Sequence, residues 1–225
     1  MGGEKMEIMI ILIIICSLCS QLYIMNTYNK YKKYKINKEI TGFDVSRTIM
    51  DNHNLNNVYI TEVTGVLTDH YYYPRKVIRL SKNSFHESNL FSIAMAAYES
   101  AHALMDKNGN KKYRYRKMIE PIINFITIIG VIMIISGLFL DLRRIIVFGV
   151  SLEFLYLIFQ IITLPIEFEA ARIAMDELLE NSYISKKDNE KTKTILTAIS
   201  FINVGSYYRT VKEALVTLYN FGNSK

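Results

Sequence analysis

Long runs of apolar residues dominate the pattern along this chain. Residues 8–25 and 121–140 carry no charged side chain, and residues 145–166 carry only Glu153. Each run is about 20 residues long, enough to cross a hydrocarbon core roughly 30 Å thick at about 1.5 Å per residue. The pattern therefore predicts three membrane helices, and the last two form a hairpin that turns at the sequence DLRR.

The first apolar run could be either a membrane anchor or a cleaved signal peptide, because Lys5 precedes it. No small-x-small cleavage site follows the run, and Ile15 before Cys16 is a poor fit to a lipoprotein signal. We interpret residues 7–26 as an uncleaved anchor and keep the signal peptide as the alternative.

In the segment between the first two apolar runs, apolar and polar residues alternate with the short repeats that are typical of helices and strands in a folded domain. Thr41 and Asp44 form a capping-box pattern that opens a helix through about residue 51. The sequences NVYITEV and KVIRLS alternate as short strands. Residues 91–105 are rich in alanine and lack glycine and proline, which predicts a helix that ends at DKNGN. The expected fold class is α+β, mainly helical.

The same pattern divides the chain into segments. The anchor 7–26 is followed by a unit at 27–118 and by the hairpin at 119–166. The last segment, 167–225, contains a stretch at 191–222 that is expected to form amphipathic helices against the unit or the membrane surface.

Charge gives the expected orientation in the membrane. The formal net charge is +6, and the basic sequences NKYKKYKINK and KKYRYRK flank the unit at 27–118. The positive-inside rule places such a unit in the cytosol, beside an anionic leaflet. Because the basic runs adjoin the apolar runs, the expected partner is the lipid bilayer of the cell membrane and not nucleic acid.

The candidate chemistry lies in the sequence AAYESAHAL, residues 96–104. A zinc-peptidase helix would read H-E-x-x-H from residue 98 to residue 102, so Glu99 and His102 stand where a base and a ligand belong, but Tyr98 replaces the first histidine. The predicted hairpin returns the chain to the same side at Pro165. Glu167, in LPIEFEAARIAMDE, can therefore join His102 as a further ligand.

Sequence blocks in the same order along the chain carry a family resemblance: TGFDVSRTIMDNHNL, GVLTDHYYYPRKVIRLS, SIAMAAYESAHAL and TLPIEFEAA. They resemble the neutral zinc metallopeptidases of bacterial membranes, the YugP-like group, which is similar to HtpX-like gluzincins. The family motif is H-E-V-G-H-A. Glu99, His102 and Ala103 match it, whereas Tyr98, Ser100 and Ala101 depart from it, and Ala171 stands where gluzincins have an aspartate.

The resemblance implies a zincin-like cytosolic unit, a zinc ion and a peptide or membrane-protein substrate. It implies Glu99 as the base and His102 and Glu167 as ligands. Replacing an imidazole by Tyr98 weakens this site, because a phenol has a reference pKa of about 10 and binds a metal only as phenolate. A phenolate of Tyr98, the imidazole of His70 or a different metal could restore it.

Three functions therefore remain open. The first is a pseudo-peptidase, a membrane-bound protein similar to zinc metallopeptidases whose activity is weakened or lost. The second is an active metalloendopeptidase that cleaves peptides at the cytosolic membrane face. The third is a non-catalytic structural or binding membrane protein.

Overall fold

The computed structural model describes residues 2–36 and 39–205. Its main elements, in chain order, are α1 (Gly2–Tyr31), α2 (Gly42–Asn52), β1 (Tyr59–Val63), β2 (His70–Tyr72), β3 (Val77–Ser81), α3 (Lys82–His86), α4 (Leu90–Lys107), α5 (Lys111–Phe139), α6 (Arg143–Glu180) and α7 (Asn189–Ser200). The predicted fold class, mainly helical α+β, is confirmed. The described residues form two compact units, one of residues 2–23, 116–164 and 201–205 and the other of the remaining residues.

The long apolar helices agree with the predicted spans. In the described part of the chain, three helices are long and apolar enough to cross a membrane: Glu4–Tyr31, Lys111–Phe139 and Arg143–Glu180. The third continues well beyond the apolar run, through Pro165. Glu167 therefore lies on the same helix as the third apolar run and not on a separate one.

The first unit contains the apolar parts of α1, α5 and α6. Ile13, Leu157 and Val204 form a buried cluster in it. The helices of the hairpin approach closely, since a Cβ atom added at Gly149 would lie 2.7 Å from the carbonyl oxygen of Gly130. Small residues at such a crossing let two membrane helices pack backbone to backbone.

The second unit is built around α4, whose residues are buried from Leu90 to Asp106. A helix buried on all sides must be covered by neighbours on every face. α2 and α7 both pack against it. At the α2 crossing the hydroxyl of Ser46 donates to the carbonyl of Ala96 at 3.2 Å.

The start of α2 matches its predicted capping box. The backbone amide of Asp44 donates to Thr41 Oγ1 at 3.2 Å, and the amide of Thr41 donates to Asp44 Oδ2 at 2.9 Å. Both bonds satisfy amides that the first turn of a helix leaves without partners.

Within the described residues, a three-stranded sheet in the order β1-β3-β2 completes the second unit. β1 is parallel to β3, with Tyr59 opposite Val77, and β2 is antiparallel to it, with His70 opposite Arg79. β1 and β3 correspond to the predicted strands, whereas β2 was not predicted. Of the amphipathic stretch predicted at 191–222, residues 206–222 lie outside the described part of the chain.

Candidate active site

The candidate site residues lie inside the second unit, on two helices. Tyr98, Glu99 and His102 project from α4 and are between 1 and 6 % exposed. Glu167, on the part of α6 beyond Pro165, is 1 % exposed. Residues three and four apart on a helix share one face, so α4 presents Tyr98 and His102 together.

Glu167 joins these side chains in one hydrogen-bonded group. The hydroxyl of Tyr98 donates to Glu167 Oε2. His102 Nε2 lies 3.1 Å from the same oxygen. The other ring nitrogen, Nδ1, lies 3.2 Å from Glu99 Oε2. The imidazole of His102 is therefore held between two carboxylates.

Aromatic rings enclose the imidazole. The ring of Tyr113 stacks on that of His102, with centroids 5.5 Å apart and an angle of 18° between the planes. The ring of Tyr98 meets it edge to face at 4.9 Å. These contacts fix the plane of the imidazole and exclude water from it.

The charge of His102 follows from its neighbours. Burial disfavours the imidazolium, but the hydrogen bonds to Glu167 and Glu99 outweigh burial and raise the pKa of His102 to about 8. The two carboxylates thus favour the protonated form of the ring. An imidazolium has no lone pair to offer a metal ion.

The donor set does not fit a three-ligand zinc centre. Catalytic zinc is held by three protein ligands, commonly imidazole with carboxylate or thiolate. Here one imidazole and one carboxylate are joined by a phenol, whose hydroxyl donates a hydrogen bond to that carboxylate. Among the described residues, no three or more His, Cys, Asp or Glu side chains are grouped so as to hold a metal ion.

His70, considered above as a replacement ligand, lies outside this group. Its side chain is exposed, with Nδ1 2.8 Å from the carbonyl oxygen of Thr68 and its ring packed against Tyr72. The residue before it, Asp69, is buried and accepts a hydrogen bond from the amide of Ser81 at 2.7 Å. Burial raises the pKa of Asp69 despite this bond. In this structure His70 is therefore part of β2, and Asp69 bonds to the end of β3.

Sequence reasoning missed two residues that shape the site. The backbone amide of Tyr71, in β2, donates to Glu99 Oε2 at 2.8 Å. The Tyr71 hydroxyl also donates to Asp106 Oδ2 at 3.1 Å, about two turns beyond Glu99 along α4. Tyr113, which stacks on His102, is the second. The sequence TDHYYYP gives no usable signal for this strand, because β2 has only three residues and an alternating pattern cannot be recognised over so short a length.

Comparison with known proteins agrees with the resemblance of the sequence blocks. The family described as "Putative neutral zinc metallopeptidase" matches residues 6–221. The "Putative membrane protease YugP" of Bacillus subtilis (strain 168) is 29% identical over 185 residues, which are 82% of this chain and 82% of that protein. No solved structure gives a significant match. The chain therefore belongs to the neutral zinc metallopeptidase family, whose match covers nearly its whole length.

Proposed function

We propose that this chain is a pseudo-peptidase, a membrane-bound member of the family whose peptidase activity is weakened or lost. The observation that supports this is the hydrogen bond from the Tyr98 hydroxyl to Glu167 Oε2, the oxygen that His102 Nε2 also contacts. The phenol thus stands at the first ligand position of the motif and engages the carboxylate expected to be the third ligand.

The chemistry of these groups favours a weak metal site. A metal ion would have to break the hydrogen bond from the Tyr98 hydroxyl to Glu167 and compete with the protonated form of His102, whose pKa is raised. A phenol with a reference pKa of about 10 gives up its proton at neutral pH only when a metal holds it strongly. Zinc affinity depends on deprotonated ligands, so each of these costs lowers it.

The proposed site faces the cytosol. The basic runs at the start of α5 and at the end of α1 support this orientation through the positive-inside rule. In that position the second unit could bind peptides or membrane proteins at the inner membrane face without cleaving them.

An active metalloendopeptidase is the second candidate, and one observation favours it. The Tyr98 oxygen and His102 Nε2 both contact Glu167 Oε2. A metal able to hold Tyr98 as a phenolate would find three donor atoms there. Tyr98 would then be a ligand and not a replacement that disarms the site.

Peptide cleavage by the purified full chain separates the two candidates. We expect no zinc-dependent cleavage of a casein-type substrate by the native protein and weak cleavage by Tyr98→His, which restores two imidazoles four residues apart. The added change Glu99→Gln should abolish that cleavage, because it keeps the shape and removes the base. Zinc-dependent cleavage by the native protein that Tyr98→Phe abolishes would instead establish the active enzyme.

A further inference from the structure

A large cavity lies in the second unit beside the end of α1. Its volume is about 820 Å³, and lysines and uncharged polar residues line much of it: Lys32, Lys33, Lys35, Thr41, Ser88 and Asn89. None of these residues belongs to the candidate active site described above. A cavity of this size is within the range of sites that hold small organic groups.

The lysines of the cavity lining follow the first apolar run at a short distance along the chain. The first apolar run ends at residue 25, and Lys32 follows seven residues later, about 10 Å along a helix. The headgroup layer extends roughly 5–8 Å beyond the hydrocarbon core on each side, so the backbone of Lys32 lies slightly beyond that layer and its side chain is long enough to reach back to it. Lysine side chains at such a place direct their ammonium groups to the interface.

The charges of the lining favour a group with one negative charge. The three lysines are partly offset by Glu39 and Glu87, which also line the cavity. Glu87 Oε2 accepts a hydrogen bond from Asn89 Nδ2 at 2.7 Å. This bond partly compensates the negative charge that Glu87 contributes to the cavity. The Lys32 ammonium lies over the Tyr28 ring, 4.9 Å from its centroid, which restricts its position.

We propose that this cavity binds the phosphodiester group of an anionic phospholipid such as phosphatidylglycerol. The lysines supply charge, and the Ser88 hydroxyl supplies a hydrogen-bond donor. Phosphatidylcholine carries the same phosphodiester, but its choline cation would lie among the lysines, which disfavours it. The inference does not depend on whether the chain is an active peptidase.

Lipid binding here would stabilise the start of the helix that carries Tyr98 and His102. Asn89, in the cavity wall, caps α4 by accepting from the amide of Ser92 at 2.9 Å. Lys35 pairs with Asn89 as an isolated β-bridge. The amide of Leu90 donates to the carbonyl of Tyr34 at 2.9 Å. The lysine segment and the start of α4 are thus one structure.

The test compares binding of short-chain phosphatidylglycerol, short-chain phosphatidylcholine and soluble glycerol phosphate to the full chain in neutral detergent, by native mass spectrometry. The cavity variant is Lys32→Gln/Lys33→Gln/Lys35→Gln. The matched control, Lys30→Gln/Lys111→Gln/Lys112→Gln, removes the same charge from exposed lysines outside the cavity lining. Circular dichroism verifies that each variant keeps the native helix content.

We expect the native protein to prefer phosphatidylglycerol over both other ligands by at least about tenfold. The cavity variant should lose about 10- to 100-fold in affinity, since a lysine near an anionic headgroup contributes about 1 kcal/mol. The control should stay within about twofold. Equal losses in the two variants would overturn the site in favour of diffuse attraction. Equal binding of glycerol phosphate would overturn its assignment to a lipid.

Discussion

The Tyr98 hydroxyl links the two helices of the buried cluster. It donates to Glu167, and its ring meets the imidazole of His102. A histidine at position 98 would place a second imidazole nitrogen, with a lone pair for a metal ion, beside Glu167. The phenol places a proton there instead. The tyrosine thus contributes an internal hydrogen bond to Glu167.

Removing this hydroxyl should cost stability and leave the metal content unchanged. Tyr98→Phe is expected to destabilise the protein by roughly 1.5–3 kcal/mol, because a buried carboxylate loses a hydrogen bond. Thermal unfolding in detergent measures the change, and zinc analysis accompanies it. Tyr71→Phe is the matched control, since that hydroxyl also donates to a buried carboxylate, Asp106. Loss of bound zinc in Tyr98→Phe alone would show that the phenol is a ligand.

The sequence indicates part of this cluster, through local spacing and topology. Glu99 and His102 are three residues apart on one helix, and the hairpin argument brought in Glu167, which the structure does join to them. The Tyr71 amide and the Tyr113 ring could not be predicted. They reach the cluster through the tertiary packing of a strand and a helix that no local pattern specifies.

At the scale of elements, α4 shows why its sequence is rich in small residues. Other elements cover it on every side, and its crossing with α2 is close. A Cβ atom added at Gly42 would collide with the carbonyl oxygen of Ser84 and lie 3.1 Å from Ala96 Cβ. Only glycine fits the first position of α2 without moving one of these groups.

Adding one methyl group at this crossing should therefore destabilise the unit more than removing the helix cap. We expect Gly42→Ala to cost roughly 1–3 kcal/mol or more, because backbone blocks the added atom. Thr41→Ala should cost about 1 kcal/mol. The unfolding midpoints of the two variants, compared with that of the native protein, show which substitution destabilises the protein more. If Gly42→Ala proves as stable as the native chain, α2 does not approach Ser84 as closely as described.

Element prediction worked where a pattern was long or had a defined chemical signal. The capping box located α2, and alternation located β1 and β3. β2 was missed because its three residues form a strand only through pairing with β3. The continuation of α6 beyond Pro165 was missed because proline usually marks an interruption, whereas membrane helices tolerate it.

At the scale of the whole molecule, the basic runs predict which ends of the apolar helices face the cytosol. A cysteine-accessibility scan in a Cys16→Ala/Cys19→Ala background tests this. Single cysteines at the exposed positions Lys33, Lys111 and Lys187 should react with an impermeant reagent only after the inner membrane face is opened. A cysteine at Arg143, also exposed, should react in intact cells. Labelling of Lys111 and Lys187 from opposite faces would contradict the proposed topology.

The zinc content of the full chain tests the pseudo-peptidase proposal most directly. Native protein and Tyr98→His are extracted from membranes, equilibrated with zinc and freed of excess metal, and bound zinc is then measured. We predict well under one zinc per native chain and a rise toward one in Tyr98→His, because an added imidazole completes a three-ligand set. One zinc per native chain, lost in Tyr98→Phe, would contradict the proposal and make Tyr98 a metal ligand.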